Sequence, residues 1–311
     1  MCIRDRAGVP AIVKPSEFTC YLTEVMVRDI IASKILPEGS LQLVCGLGRG
    51  IIDYVDARDT VTFTGSASTG KVLKGLPQIT ENSVAFNLEA DSLNASILGK
   101  HATVGTAEYD LFIKECVKEI TIKAGQKCTA VRRIIVPENL IDEVEASIAQ
   151  RLGKTTIGDP AQEGVRMGAL ATKIQVDRVR ENVDLLAKSQ KIVFGDLDGF
   201  EVMGADKKLG AFFSPVLFRN NDPFKKTDCH DIEAFGPVST IMPYKEIEDA
   251  VELAKMGKGS LVSSIVTPDD KEAREYVIGA ASMHGRILAV SYTHLRAHET
   301  LRYLVCRLLL E

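Results

Sequence analysis

The chain has no excess of charge of either sign. Its formal net charge is -4 and its pI is near 5.9, which leaves no polycationic face for nucleic acid. It has no CxxC pair. Its seven cysteines fall at irregular spacing, so neither a disulfide framework nor a thiolate zinc site is expected, no metal is assigned, and a reducing, cytoplasmic setting fits. No apolar run approaches the roughly 20 residues that a membrane span requires. No basic start followed by a short apolar stretch marks a secretory leader, and repeats and low-complexity segments are lacking as well. What the chain does have is bulk: 311 residues at 45% apolar composition can bury a sizeable core and suffice for two domains.

The two ends break with the texture of the rest. Met1 to Arg6 runs straight into Ala7-Gly8-Val9-Pro10-Ala11-Ile12-Val13, which reads as the middle of a fold, and Ser291 to Glu311 crowds Arg, His, Cys and Leu together. Residues 1–6 and 291–311 are therefore expected to be non-native sequence joined to a natural part, residues 7–290, that lacks both of its true ends. On that reading Cys2, His294, His298 and Cys306 carry no functional weight.

Between the ends, short β-type runs at 11–13, 41–44, 61–64 and 83–88 alternate with helical patterns at crossover spacing. One of those patterns carries Leu22, Val25, Met26 and Ile30 on what reads as a packed face. Such alternation predicts a mostly parallel sheet with helices on both faces. After Glu89 the texture changes. A helix over about 108–123 leads to the turn Lys123-Ala124-Gly125-Gln126-Lys127-Cys128 and the strand 131–136. Helices near 138–151, 174–186, 245–256 and 269–280 then alternate with strands near 191–194, 216–218, 238–242 and 261–266, a second α/β unit. The boundary is placed at 92/93.

Cys128 is the leading candidate nucleophile. A free cysteine is usually a small buried hydrophobe, but here Ala124 and Gly125 allow close backbone approach, Lys127 is placed to favour a thiolate, and a strand follows. Cys116 lacks these features and reads as core, as does Cys45, whose neighbouring glycines leave a second reading open. Gly65-Ser66-Ala67-Ser68-Thr69-Gly70 follows a strand and opens a helix, where unpaired N–H groups favour phosphate; a plain turn with an N-cap serine fits nearly as well. Lys14 lies just past the first strand, where ligands bind in such sheets, or is simply solvated. Glu89 ends the first unit as a base or a local cap. Glu233 sits before the rigid Gly236-Pro237 turn, where an ordered ligand contact fits.

Taken together and in this order, Lys14, Gly65 to Gly70, Glu89, Gly125 to Cys128 and Glu233 to Pro237 resemble the aldehyde dehydrogenase superfamily over residues 7–290. The stretches Asn87 to Asn94, Ala124 to Pro137 and Gly158 to Leu170 are similar to one branch of it. That branch is fused to a C-terminal hydratase and oxidises a CoA-linked semialdehyde in phenylacetate degradation. The resemblance implies an α/β fold with a partial, Rossmann-like dinucleotide-binding domain (7–92) and a second α/β catalytic domain (93–290). It implies that the Cys128 thiolate attacks the aldehyde, that Glu89 activates water, and that the Cys128 N–H is one oxyanion donor; the asparagine that supplies the other in the family has no counterpart here. It places Lys14 and Glu17 at the adenosine ribose, Gly65, Ser66 and Gly70 at the pyrophosphate, and Glu233 at the nicotinamide ribose. The cofactor is NAD or NADP: the Glu17 carboxylate favours NAD, whereas the branch is associated with NADP. The parent is expected to be a homo-oligomer, and the chain as it stands to have unpaired sheet edges and weak or no activity. Two other readings are a CoA-acylating dehydrogenase and a remnant with a structural or binding role. A thiol hydrolase using His101, His230 or His284 fits least.

Overall fold

A computed structural model of the chain describes residues 8–48 and 50–291. Residues 1–6, most of the 291–311 stretch, and with them Cys2, His294, His298 and Cys306, lie outside the described residues. The chain divides into two compact units between Ala90 and Asp91.

In the first unit, β1 (Ala11–Val13) pairs in parallel with β2 (Leu41–Leu43), and β3 (Thr60–Thr64) with β4 (Ala85–Glu89). Helix α1 (Cys20–Ser33) connects the first pair, and α2 (Ala67–Lys74) and α3 (Pro77–Thr80) lie between β3 and β4. The parallel pairing follows the alternation read from sequence, but the four strands form two separate pairs instead of one sheet. Three residues each in β1 and β2 supply only a short ladder. The apolar face expected on α1 also differs: Val27 is its buried residue, while Leu22, Val25 and Met26 are exposed. Spacing identified an apolar stripe correctly, but a stripe is buried only where a second layer covers it.

The second unit is built on a seven-stranded sheet in the order β11-β10-β5-β6-β9-β8-β7. These strands are β5 (Ala95–Leu98), β6 (Arg133–Pro137), β7 (Lys191–Phe194), β8 (Val216–Arg219), β9 (Val238–Tyr244), β10 (Ser260–Val266) and β11 (His284–Val290). All neighbours pair in parallel except β7 with β8. Both faces are covered, which is why the central strands read as continuous apolar runs. In β6, Ile134 and Val136 join one core with Phe112, Cys116 and Ile120 of α4 (Ala107–Thr121) and Val144 and Ile148 of α5 (Ile141–Leu152). Ile135 points to the other core, with Val179 and Val183 of α6 (Lys173–Ala187), Leu253 of α7 (Ile247–Lys255) and Tyr276 of α8 (Asp270–Ala280).

Two strands escaped the sequence reading. β5, third in the order between β10 and β6, is four residues long and wholly buried, too short for any period to declare itself. Among the described residues, β11 pairs only with β10. No helix among the described residues is long and apolar enough to cross a membrane.

Candidate active site

The nucleophile turn begins where α4 ends. Lys123 and Ala124 adopt left-handed backbone angles (φ 52° and 50°), and Gly125 follows at φ 70°. Each non-glycine residue held there costs on the order of 1–3 kcal/mol and persists only when its surroundings enforce it. The enforcement is visible. A Cβ on Gly125 would lie 2.1 Å from the Gly236 carbonyl oxygen, so the backbones of the two loops touch at a point where only glycine fits. Gln126 extends the same seam, donating to the Phe235 carbonyl at 3.2 Å and accepting from the Ala171 N–H at 2.7 Å.

Cys128 emerges from this turn with its residue exposed, whereas Cys116 and Cys229 are buried. Its backbone is held from below by Asn94, which is fully buried. The Asn94 side-chain amide donates to the carbonyls of Cys128 (2.8 Å) and Ala130 (2.9 Å). Its oxygen accepts from the Ser92 hydroxyl (2.7 Å) and the Val262 N–H (3.0 Å). The Asn94 backbone carbonyl accepts from the N–H groups of Arg132 and Arg133, both at 3.0 Å. One side chain thus binds the turn to β5 and β10.

Arg132 locks the other side. Its guanidinium donates to Glu233 Oε1 (3.0 Å), the Gly236 carbonyl (2.7 Å) and the Gly125 carbonyl (2.8 Å), and it lies over the Phe235 ring, 5.6 Å from the centroid. Glu233 Oε2 accepts from the Ser92 N–H at 2.9 Å. The Arg132 and Glu233 side chains are 3% and 4% exposed. Burial pushes the Glu233 carboxyl up against the opposing pull of Arg132, and it draws Arg132 down against the pull of Glu233. Both carboxylate oxygens of Glu233 are therefore engaged inside the protein.

Arg133, wholly buried, enters the opposite core. It donates to the carbonyls of Leu93, Leu253 and Ala254 and to His230 Nδ1. The last two carbonyls close the C-terminal end of α7, where a cation meets the negative pole of the helix. Burial brings the guanidinium down to about 10, which keeps it charged at neutral pH. Because Arg133 can only donate, His230 accepts at Nδ1 and carries its proton on Nε2, which donates to the Pro223 carbonyl at 3.0 Å.

Two expectations are corrected here. Lys127 is not free to support a thiolate: its ammonium donates to both oxygens of Glu119 at 2.8 Å. Cys45 is not core but exposed: it lies past β2, a three-residue strand that itself has no buried residue. The three histidines considered as partners for Cys128 are placed elsewhere. His101 faces Asp269 and Glu272, His230 serves Arg133, and His284 opens β11.

In the first unit each candidate lies at or just past the carboxyl end of a strand. Lys14 follows β1; its ammonium donates to the Pro15 carbonyl at 2.8 Å and lies 3.6 Å from Glu17. Its stem passes over Gly48, where an added Cβ would come within 2.8 Å. Ser66 caps α2, its hydroxyl accepting from the Thr69 N–H at 3.3 Å. Gly70 has a packing reason of its own, since Leu88 occupies the space of a Cβ. Glu89 is the last residue of β4, and its carbonyl accepts from the Gly65 N–H at 3.1 Å. A cation beside a carboxylate suits ribose hydroxyls, and a capped helix start suits phosphate. These residues fit a nicotinamide dinucleotide at the edge where open α/β sheets bind ligands. The nucleophile turn sits differently, before β6 and beside the starts of β5, β9 and β10.

Among the described residues no group of histidine, cysteine and carboxylate side chains is placed to hold a metal ion. The family model headed aldehyde dehydrogenase family matches residues 6–285. The chain belongs to the aldehyde dehydrogenase family. Among curated aldehyde dehydrogenases, a 3,4-dehydroadipyl-CoA semialdehyde dehydrogenase of Aromatoleum evansii is 41% identical over 284 residues, which cover 91% of this chain and 55% of that one. A 1-pyrroline-5-carboxylate dehydrogenase of Oceanobacillus iheyensis is 26% identical over 283 residues, covering 88% and 52%. The crystal structure of a betaine aldehyde dehydrogenase of Staphylococcus aureus in complex with NAD+ superposes with a TM-score of 0.79 at 24% identity, over 90% of this chain and 54% of that one. That likeness establishes the fold. The chain spans about half the length of the curated relatives it matches.

Asn94, Arg132, Arg133 and Ser92 are the site residues that sequence reasoning passed over. Their signal was present: two adjacent arginines at the mouth of an otherwise apolar strand, and an asparagine opening the short run Ala95-Ser96-Ile97-Leu98. Charged groups at the start of a buried strand require buried partners.

Proposed function

We propose that the protein to which this sequence belongs oxidises an aldehyde to a carboxylic acid, and that the aldehyde is a CoA-linked semialdehyde. The observation that carries the reading is the nucleophile turn. An exposed cysteine stands on a strained backbone whose carbonyls and flanking residues are fixed by Asn94 and Arg132, which is how a reactive atom is held in place. The likeness to the Aromatoleum evansii semialdehyde dehydrogenase supports the substrate class.

In this proposal the second unit is the catalytic domain and the first is part of the dinucleotide-binding domain. Cys128 adds to the aldehyde carbon as a thiolate and holds the substrate first as a thiohemiacetal, then as a thioester. Its N–H supports the oxyanion. NAD or NADP, when bound, supplies the hydride acceptor. Lys14 and Glu17 orient the adenosine ribose, and Gly65, Ser66 and Gly70 form the phosphate turn. Glu89 removes a proton from the water that hydrolyses the thioester. Glu233 reaches the nicotinamide ribose only by giving up a bond to Arg132 or Ser92. A homo-oligomeric, cytoplasmic parent with a fused hydratase completes the proposal.

The test is product analysis with a CoA-linked semialdehyde and NADP in the full-length protein. Cys128→Ser is expected to abolish reduced-cofactor formation, and Glu89→Gln to accumulate an acyl adduct on Cys128 visible by mass spectrometry. Turnover retained in Cys128→Ser would remove the reading. The acylating alternative requires a second CoA thioester as product; Glu89 speaks for the free acid instead.

A further inference from the structure

Two separate lines of buried hydrogen bonds meet at the carboxylate of Glu233. Its Oε1 accepts from Arg132 Nε at 3.0 Å, and Arg132 Nη2 donates to the Gly125 carbonyl at 2.8 Å. Its Oε2 accepts from the Ser92 N–H at 2.9 Å. The Ser92 hydroxyl donates to Asn94 Oδ1 at 2.7 Å, and the Asn94 amide donates to the Cys128 carbonyl at 2.8 Å. One arm thus ends at the first residue of Gly125-Gln126-Lys127-Cys128, and the other at the last. Glu233 is anchored in turn from α6, where the Asn182 amide donates to its backbone carbonyl at 3.1 Å.

The Glu233 side chain is 4% exposed, and both of its oxygens are taken by donors that are themselves buried. A carboxylate that holds a ligand keeps an open oxygen, whereas one that holds the protein is enclosed with its acceptors engaged. We propose that Glu233 is a positioning residue for Cys128: it clamps both ends of the nucleophile turn, through Arg132 and through Ser92 and Asn94, and gives up neither bond to the nicotinamide ribose. The proposal rests on the reading of Cys128 as the reactive atom and takes nothing else from the proposed activity. The turn needs such a clamp, because Lys123 and Ala124 just before it are held at left-handed angles that persist only under constraint. Linked bonds in a buried network reinforce one another, so loss of the hub slackens both arms, while loss of Arg132 or Asn94 slackens one. In none of these bonds does the Cys128 sulfur take part. What the clamp sets is where that sulfur points.

The experiment follows carboxymethylation of Cys128 by iodoacetamide in the whole chain, without cofactor, as a function of pH. Trypsin cuts after Lys127 and Arg132, so the Cys128 peptide is short and its modification is read by mass spectrometry. The plateau rate at high pH, where the thiol is fully ionised, reports orientation and access. Glu233→Ala is expected to lower that plateau by about fivefold or more. Glu233→Gln keeps one acceptor oxygen, hence one arm, and should fall in between. Val144→Ala truncates the core of α5 and removes none of these bonds; its plateau should stay within about twofold of the parent. Circular dichroism establishes which variants fold, and if Glu233→Ala does not, Glu233→Gln decides alone. An unchanged plateau in the folded Glu233 variants would overturn the proposal, as would an equal fall in Val144→Ala. Weaker NADP binding by Glu233→Gln in the full-length protein, with the Cys128 plateau unchanged, would return Glu233 to the ribose. No turnover is measured on the whole chain, so a parent that fails to oxidise aldehydes strikes the proposed activity and leaves the plateau result readable.

Discussion

Arg132 and Glu233 stand 101 residues apart in the chain and meet at 3.0 Å with both side chains nearly sealed from solvent. Through this pair the nucleophile turn and the Glu233–Pro237 loop become one rigid body. Removing one partner strands the other charge in the interior, which costs about 3–5 kcal/mol. Glu233→Ala is therefore expected to lose stability of that order in urea denaturation. A double variant with Arg132→Met should lose less than the sum of the two single changes. Additive losses would show that the pair is not coupled.

Asn94 donates two bonds to the turn through one amide. Asn94→Asp is nearly isosteric but turns a carboxylate oxygen toward the carbonyls of Cys128 and Ala130. It should destabilise by at least ~2 kcal/mol, the cost of unsatisfied buried polar groups. It should also alter the alkylation rate of Cys128, read by peptide mapping. An Asp variant as stable as the parent would show that the turn is held by other means.

Gly125→Ala places a methyl group 2.1 Å from the Gly236 carbonyl at φ 70°. Both the contact and the backbone angle oppose it. A loss of about 2–4 kcal/mol is expected from strain and displaced packing, measured by thermal unfolding, against a smaller loss, from the backbone angle alone, for Gly105→Ala, whose Cβ would meet open space. Gly105 shares the positive φ, so the difference isolates the contact.

Lys127 is committed to Glu119. Lys127→Met should change the alkylation rate of Cys128 by less than about twofold at neutral pH, because the ammonium charge is already balanced by the Glu119 carboxylate. A large fall would restore lysine as the group that supports the thiolate.

Burial, with help from Arg133, brings His230 down from 6.5 to about 4. Between those values the unfolded chain binds the proton that the folded chain refuses. Stability is thus fully present above pH 6.5 and falls as pH drops toward 4, by roughly 3 kcal/mol for this group. His284, also brought down to about 4 by burial and Arg133, adds to the same slope. Urea midpoints at pH 7, 5.5 and 4.5 should decline in order, and His230→Gln should flatten part of the decline. A flat profile in the parent would contradict it.

The parallel α/β character, the succession of helices and strands, and the turn that carries Cys128 were legible in sequence because they rest on local signals. Apolar period, glycine turns and helix caps are written within a dozen residues of one another. The short motifs at Lys14, Gly65 to Gly70, Glu89 and Cys128 were legible for the same reason. The interior strand β5 was not, since four buried residues carry no period, and the division of the first unit into two strand pairs depends on partners that no local pattern records.

By itself the sequence determined most of the helix and strand segments and which cysteine stands in a small-residue turn. Only the tertiary structure decided what holds that cysteine in place. Asn94, Arg132 and Glu233 come from three separate stretches, and a buried polar group acquires its meaning from the partner the fold brings to it. The same holds for charge. Lys127 lies next to Cys128 in sequence but belongs to Glu119 in space, and Cys45, read as core, lies exposed. Chain neighbours set local geometry, but the desolvation and pairing that govern charge and thiol chemistry arise only once distant segments have packed together.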